Sequence, residues 1–316
     1  MFKYKFNESS NKDLRDAFFD EIYNLGAKDQ NLIILTNDMD VFSLRKFKKD
    51  FPKQFYNTGV AEQNMINVAA GLASCGKKIY VFGILSFVTF RCYEQIKFNI
   101  CSRNLDVNIV GVGAGLSFGF DGPTHHGIQD IMAMHLLPEI SILNPADGNS
   151  TAACAHISYH SKKPNYIRID KGIISKIYKN NYDFSKGFKI IKSIKKNNII
   201  SIGYMTSKAC EIIKKLEKEN INIGLIDLFN LDAIESLIKN LLKKEIDNVF
   251  ILEENASEVG VAAIISTCLS KYDNNIKIEK IGLPNLQIFK YGTREWMHEE
   301  FGLSIMQIIN KIKKCI

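Results

Sequence analysis

YNTGVAEQNMINVAAG, residues 56–71, runs a Gly-Val-Ala-Glu-Gln turn into an apolar-faced helix and sets a single carboxylate, Glu62, in its first turn. Gly59 suits the N-cap, with Glu62 three residues on, where a carboxylate satisfies free amides and complements the helix dipole. The same carboxylate also suits protonation of a ring nitrogen in a bound cofactor, a role that needs support from the rest of the chain.

Outward from this stretch, apolar strands alternate with helices. On its amino-terminal side, residues 10–25 carry helical apolar spacing (Leu14, Ala17, Phe18, Ile22, Leu25) and stop at Gly26. Residues 31–35 form a buried strand that delivers Thr36-Asn37-Asp38 at its carboxyl end, where ligands bind in open sheets. An Asx turn that closes the strand accounts for Asp38 equally well. On the other side, residues 78–83 form a strand. Residues 86–103 form a helix on which Phe87, Phe90 and Tyr93 recur every third position, close enough for their rings to be neighbours. A strand at 107–113 leads into a flexible segment, 114–120, and then Asp121-Gly122-Pro123-Thr124-His125-His126-Gly127, a rigid polar turn before a helix through Leu136. Two adjacent histidines after Asp-Gly-Pro are hard to explain by packing alone.

Strands at 140–143 and 165–169 flank a helix that starts at Pro145-Ala146-Asp147 and runs to His160. His156 and His160 stand four apart, but no Glu or third ligand accompanies them in sequence, so the spacing does not read as a metal site. From 172 to 196 the pattern weakens. Beyond it, strands at 199–203, 223–227, 249–253 and 276–282 alternate with helices at 207–219, 231–244 and 256–270 and a final helix from Glu295 or later. The fold class is α/β, with two doubly wound, mostly parallel-sheet domains at residues 1–184 and 185–316. In the second domain Glu253-Glu254 ends a strand and reads as solvated acid.

The 316 residues suffice for two buried cores, and 46% hydrophobic with 24% charged residues is ordinary globular composition. The net charge of +7 is scattered as short lysine pairs without an aromatic-basic platform, which argues against nucleic acid. Seven cysteines form no CxxC pair and no metal-ligand spacing, as expected of reduced thiols in a cytoplasmic protein. MFKYKFNESS has no apolar leader, and no run approaches the roughly 18 apolar residues of a membrane span.

GVAEQNMINVAAGLA (59–73), SFVTFRCYEQI (86–96) and GFDGPTHHGIQDIMAMHLLPEISILNPADG (119–148), in that order, resemble the pyrimidine-binding half of transketolases and the related deoxyxylulose-phosphate synthases. IDLFNLDAI (226–234) and GTREWMHEEFGL (292–303) are similar to segments of the family's carboxyl-terminal domain. The resemblance implies thiamine diphosphate as cofactor, with Glu62 bonded to N1′ of its aminopyrimidine. Phe87, Phe90 and Tyr93 would form the aromatic wall, with Phe90 the ring that stacks. Asp121 and His125 match residues that contact substrate hydroxyls, His125 moving protons among them, and Asp38 matches a family aspartate at the cofactor. The implied activity is transfer of a two-carbon ketol unit from a ketose to an aldose through the cofactor's ylid. A buried Glu whose pKa is raised by desolvation suits the N1′ role.

The chain departs from the family pattern in two places. A diphosphate-binding domain with Gly-Asp-Gly is missing, since Asp-Gly at 121–122 and 147–148 is not preceded by Gly. The chain therefore resembles the carboxyl-terminal subunit of a split transketolase. Mg²⁺ would be held by an amino-terminal partner carrying Gly-Asp-Gly, in an α2β2 assembly, and no metal would be held here. Gly113 replaces a His found in many transketolases, and Lys171, with Arg168 nearby, replaces a phosphate-binding Arg, which leaves sugars and sugar phosphates both as substrates. Alternatives are a deoxyxylulose-phosphate synthase-like subunit, a 2-oxo acid dehydrogenase β subunit, or a non-catalytic regulatory subunit that retains the fold. The Phe87-x-x-Phe90-x-x-Tyr93 trio leans toward transketolase, GTREW slightly toward the synthases, and DGPTHHG away from the dehydrogenases.

Overall fold

The inner strands are short, Val- and Ile-rich and buried on both faces, a composition that suits parallel pairing between helical layers. The structure, a computed structural model, describes residue 9, residues 11–179 and residues 182–316. Most of MFKYKFNESS, and Ser10 where the first helix was expected to begin, lie outside these. The chain divides into two compact units, residues 1–114 with 133–185 and residues 115–132 with 186–316.

The first unit holds β1 (Leu32–Thr36), β2 (Phe55–Asn57), β3 (Lys78–Ile84), β4 (Val107–Val112), β5 (Ser141–Leu143) and β6 (Asn165–Ile169). They form one all-parallel sheet in the order β2-β1-β3-β4-β6-β5. The helix Leu14–Gly26 is capped by Asp13 and buries Phe18 and Phe19, whose rings meet Tyr80 at 6.0 Å and Phe82 at 4.9 Å, both edge-on. The helix Gly148–His160 starts from an Asp147–Ser150 capping box. The second carboxylate oxygen of Asp147 accepts the amides of Ile177 and Tyr178 at 2.8 and 2.9 Å, which ties down the segment after β6.

The second unit holds β7 (Phe188–Lys192), β8 (Asn197–Ser201), β9 (Gly224–Leu228), β10 (Asn248–Ala256) and β11 (Lys277–Leu283) in the order β11-β10-β8-β9-β7. All pairs are parallel except β7 with β9. Helices Tyr204–Lys218, Ile234–Leu241 and Val261–Leu269 connect them, and the expected final helix is two, Arg294–Glu300 and Ile305–Lys313. Among the described residues no helix is long and apolar enough to cross a membrane.

Several local expectations are corrected. Gly59 is not the N-cap: the helix is Glu62–Ser74, with Ala61 as the capping residue. A helix, Phe42–Asp50, and the short β2 lie where the sequence signalled nothing, because three-residue strands and Lys-rich helices carry little pattern. β7 lies in the weakly patterned stretch, half-exposed at a sheet edge. The helix expected over 86–103 is broken into Leu85–Thr89, Tyr93–Gln95, a wide turn at Ile96–Ile100 and a tight one at Cys101–Arg103. By its contacts the segment 115–132 packs within the second compact unit. Gly115 and Gly127 exchange 2.8 Å backbone hydrogen bonds, Leu116 and Ile128 join that unit's apolar core, and Ala256 donates to the Ile128 carbonyl at 2.8 Å.

Candidate active site

Three adjacent strands, β2, β1 and β3, deliver chain to one edge of the first sheet, and their carboxyl ends bring Glu62, Asn37 and Arg91 together. Glu62 opens its helix directly after β2 and is only 2% exposed. Asn37, the residue after β1, donates Nδ2–H to Glu62 Oε1 at 2.7 Å. Arg91, beyond β3 and the helix Leu85–Thr89, donates Nη1–H to Glu62 Oε2 at 2.8 Å. Burial pushes the Glu62 carboxyl up. This is outweighed by the hydrogen bond from its own amide, by those from Arg91 and Asn37 and by the Arg91 charge, so the group lies below the usual carboxylate range. The raised pKa expected from desolvation alone is therefore corrected: the burial is there, but so is a cation that the sequence did not pair with Glu62.

Gln63 explains part of the broken helix, because its Nε2 donates to the Arg91 carbonyl at 3.0 Å and takes that group out of the helical ladder. The Arg91 guanidinium lies 4.3 Å over the Phe87 ring. Phe90 is 43% exposed and Tyr93 half-buried. Asn37 Oδ1 is buried without a hydrogen-bond partner. An exposed aromatic face, a buried two-oxygen acceptor and an orphaned carbonyl oxygen are what a flat nitrogen heterocycle carrying donors needs, so these residues fit an aminopyrimidine.

Asp38 has φ +67° and is exposed; its amide donates to Asn57 Oδ1 at 3.0 Å, and its carboxylate accepts from Asn57 Nδ2 at 3.1 Å. Arg168 is buried and donates to Asn144 Oδ1 at 2.9 Å, whereas Lys171 is exposed just past β6. Gly113 has φ +114°, a conformation that L side chains rarely adopt, which gives a backbone reason for glycine where many relatives of the resembled family carry His. His156 Nε2 lies 2.9 Å from Glu21, a residue distant in sequence. Among the described residues no group of three or more His, Cys, Asp or Glu side chains is placed to hold a metal.

In the second unit Asp121 is exposed and its amide donates to the Phe118 carbonyl at 2.9 Å. His125 is half-buried, its Nδ1 lies 2.9 Å from Thr124 Oγ1, and its ring meets Phe118 edge-on at 5.8 Å. The neighbouring His126 is buried, and burial pushes its pKa down. Glu253 and Glu254 are not solvated. Glu253 caps the helix Val261–Leu269, accepting the amides of Val261 and Ala262 at 2.7 and 2.9 Å. Glu254 is 3% exposed and bonds Arg294 Nε at 2.7 Å and His298 Nε2 at 2.5 Å. The Arg294 charge and hydrogen bond, with those of His298, outweigh burial and hold Glu254 far below the usual range.

Asn37, Gln63 and Arg91 were not singled out in the sequence. The available signal was a lone cation, Arg91, inside an aromatic segment otherwise free of charge up to Glu94, opposite an isolated carboxylate.

Residues 10–176 match the family "Transketolase, pyrimidine binding domain", and residues 188–308 match "Transketolase, C-terminal domain". The chain is 26% identical over 292 residues to one subunit of the apulose-4-phosphate transketolase of Phocaeicola vulgatus, covering 92% of this chain and 93% of that one. It is 28% identical over 306 residues to "Putative transketolase C-terminal section" of Methanocaldococcus jannaschii, covering 95% of each. Among solved structures it superposes with a TM-score of 0.86 on "Split gene transketolase, inactive beta4 tetramer", at 28% identity over 96% of this chain and 98% of that one.

Proposed function

The chain belongs to the transketolase family, and from that premise we propose that it is the carboxyl-terminal subunit of a two-chain transketolase that moves a two-carbon ketol unit from a ketose to an aldose. The observation that carries the reading is the buried Glu62 carboxylate, held by Asn37 and Arg91 beside the exposed Phe90 ring. Relatives of this length that are named as one transketolase subunit and as a carboxyl-terminal section support the split organisation.

When bound, thiamine diphosphate supplies the nucleophilic carbon that accepts and releases the two-carbon unit. Glu62 accepts a hydrogen bond at N1′ of the pyrimidine and keeps a proton there. Phe90 offers an apolar face to the ring, and Tyr93 borders it, without competing for its hydrogen bonds. Phe87, whose ring carries the Arg91 guanidinium, lies behind this wall. Asp38 borders the cofactor as well. His125, oriented by Thr124 at Nδ1, exchanges protons with sugar hydroxyls, and Asp121 orients one of them. Lys171, exposed, meets a substrate phosphate as a point charge, and Arg168 backs it from within the sheet. The diphosphate and Mg²⁺ are held by an amino-terminal subunit with Gly-Asp-Gly, in an α2β2 assembly that works in carbohydrate metabolism in the cytoplasm.

The test is reconstitution with such a subunit, thiamine diphosphate and Mg²⁺, followed by a ketol-transfer assay. The pair is expected to turn over, and Glu62→Ala to lose about 10²–10⁴-fold in kcat, the scale of a lost proton-transfer group. Full turnover by Glu62→Ala overturns the mechanism. Turnover by the isolated chain with cofactor overturns the split-enzyme reading.

A further inference from the structure

Two consecutive residues of the helix start reach one and the same partner. Glu62 takes the Arg91 side chain at 2.8 Å, and Gln63 takes the Arg91 carbonyl at 3.0 Å. The plane of the guanidinium is set separately by the Phe87 ring, 4.3 Å away. Charge, backbone and orientation of Arg91 are thus fixed by three different contacts, although the side chain is 45% exposed. An ion pair that open to water contributes only about 0–1 kcal/mol to stability. Folding alone gives little reason for so much fixation.

We propose that Arg91 is a positioning residue for the cofactor's aminopyrimidine: it fixes the rotation of the Glu62 carboxylate and keeps it ionised, so that the proton shared with N1′ resides on N1′. The proposal rests on the transketolase reading of Glu62 and adds the group that sets its charge. A carboxylate has about four lone-pair sites, so an oxygen pair that already accepts from Asn37, Arg91 and its own amide retains capacity for one further donor. Without Arg91, burial of a 2% exposed carboxylate is opposed only by neutral donors, and the protonated form gains. Asn37 from the end of β1 and Gln63 on its own helix are neutral. Cys92, from the same segment as Arg91, has its thiol pushed up to about 12 by burial and the Glu62 charge and stays neutral as well. Arg91 also covers one face of Phe87, which leaves Phe90 as the ring open to a ligand.

The first arm of the test uses the chain without cofactor. Carbon-13 NMR of carboxyl-labelled glutamates, with Glu62→Gln identifying the resonance, follows the Glu62 titration. It is expected below the ordinary 4.5 in the native chain. In Arg91→Gln it is expected to rise by about one pH unit or more, and Arg91→Lys is expected to restore part of the difference. An unchanged midpoint in Arg91→Gln overturns the proposal. In the second arm, calorimetry of thiamine diphosphate binding to the Mg²⁺-loaded pair runs from about pH 8 down to about pH 5. Arg91→Gln is expected to develop an acid limb of up to about tenfold in Kd per pH unit, absent from the native pair. The same limb in both proteins, or in neither, severs Arg91 from the cofactor. A native pair that binds no thiamine diphosphate at any pH overturns the transketolase reading itself, and this proposal with it, whatever the NMR titration gives.

Discussion

Glu62 in the first unit and Glu254 in the second are both buried glutamates paired to an arginine, yet their surroundings differ in one respect. Glu254 is enclosed by its partners: Arg294 is 12% exposed, lies 3.6 Å over the Tyr204 ring, and shares the carboxylate with the buried His298. His298 in turn takes Lys208, which also donates to the Leu303 carbonyl at 2.9 Å. Glu62 has an arginine that is 45% exposed and an aromatic neighbour open to solvent. A carboxylate whose partners are all buried serves the fold. One whose partner and neighbouring ring face water keeps an open side, the side to which the proposed function assigns the cofactor.

Removing each carboxylate separates these cases most sharply. Glu254→Ala leaves Arg294 and His298 buried without their anion and is expected to cost about 3–5 kcal/mol, read as a shift in urea midpoint. Glu62→Ala, by contrast, is expected to cost no more than about 1–2 kcal/mol, because Arg91 rehydrates and only neutral amides, that of Asn37 and the residue's own, lose a partner. Equal losses at the two sites would erase the distinction. The acid side of the stability curve separates the network further. The Glu254 pKa is depressed in the folded state, so its contribution is complete above its ordinary value of 4.5 and is lost as pH falls toward the folded pKa. Glu254→Gln is expected to flatten that acid decline.

A smaller effect is expected at Gly115, where the segment carrying Asp121 and His125 begins. It has φ +59°, and a Cβ there would collide with the Glu254 carboxylate. Gly115→Ala combines backbone strain with displacement of that carboxylate, for about 1–3 kcal/mol of stability. On the function proposed above, through the 115–127 hairpin it should also raise KM for the sugar more than it lowers kcat. A melting temperature and KM both unchanged would mean that the network does not support the segment.

The sequence showed the strand and helix alternation of both sheets because buried parallel strands are written as runs of Val and Ile, as in Leu32–Thr36 and Val107–Val112. It did not show β2, three residues long, or β7, whose half-exposed edge position leaves no apolar run. Helix continuity over 86–103 was misread because the interruption comes from a distant side chain: Gln63 takes the Arg91 carbonyl from 28 residues away. Glu62 was legible as a carboxylate at a helix start, but its charge state was not. Desolvation can be guessed from an apolar setting, whereas Arg91 and Asn37 reach it through tertiary structure. For the same reason Glu253-Glu254 looked solvated, since the helix amides that pair with Glu253 lie 8 and 9 positions on and Arg294 lies 40 positions beyond Glu254.

A purely pH-dependent effect concerns Lys208, at the outer end of the Glu254 network. Burial lowers its pKa from 10.5 to about 8, only partly offset by Glu254, Glu295 and Glu211. Between those two values the unfolded chain binds more protons than the folded one, so this group makes stability rise with pH from about 8 toward 10.5. The slope is at most that of one proton, about 1.4 kcal/mol per pH unit. Lys208→Met retains the length of the side chain and removes the charge. The difference in urea midpoint between native chain and variant, followed across that window, isolates this one group from the other lysines and tyrosines that titrate there. The native chain is expected to gain on the variant as pH rises. A constant difference would mean that Lys208 is solvated like Arg91, and the enclosed character assigned to the Glu254 network would then stop at His298.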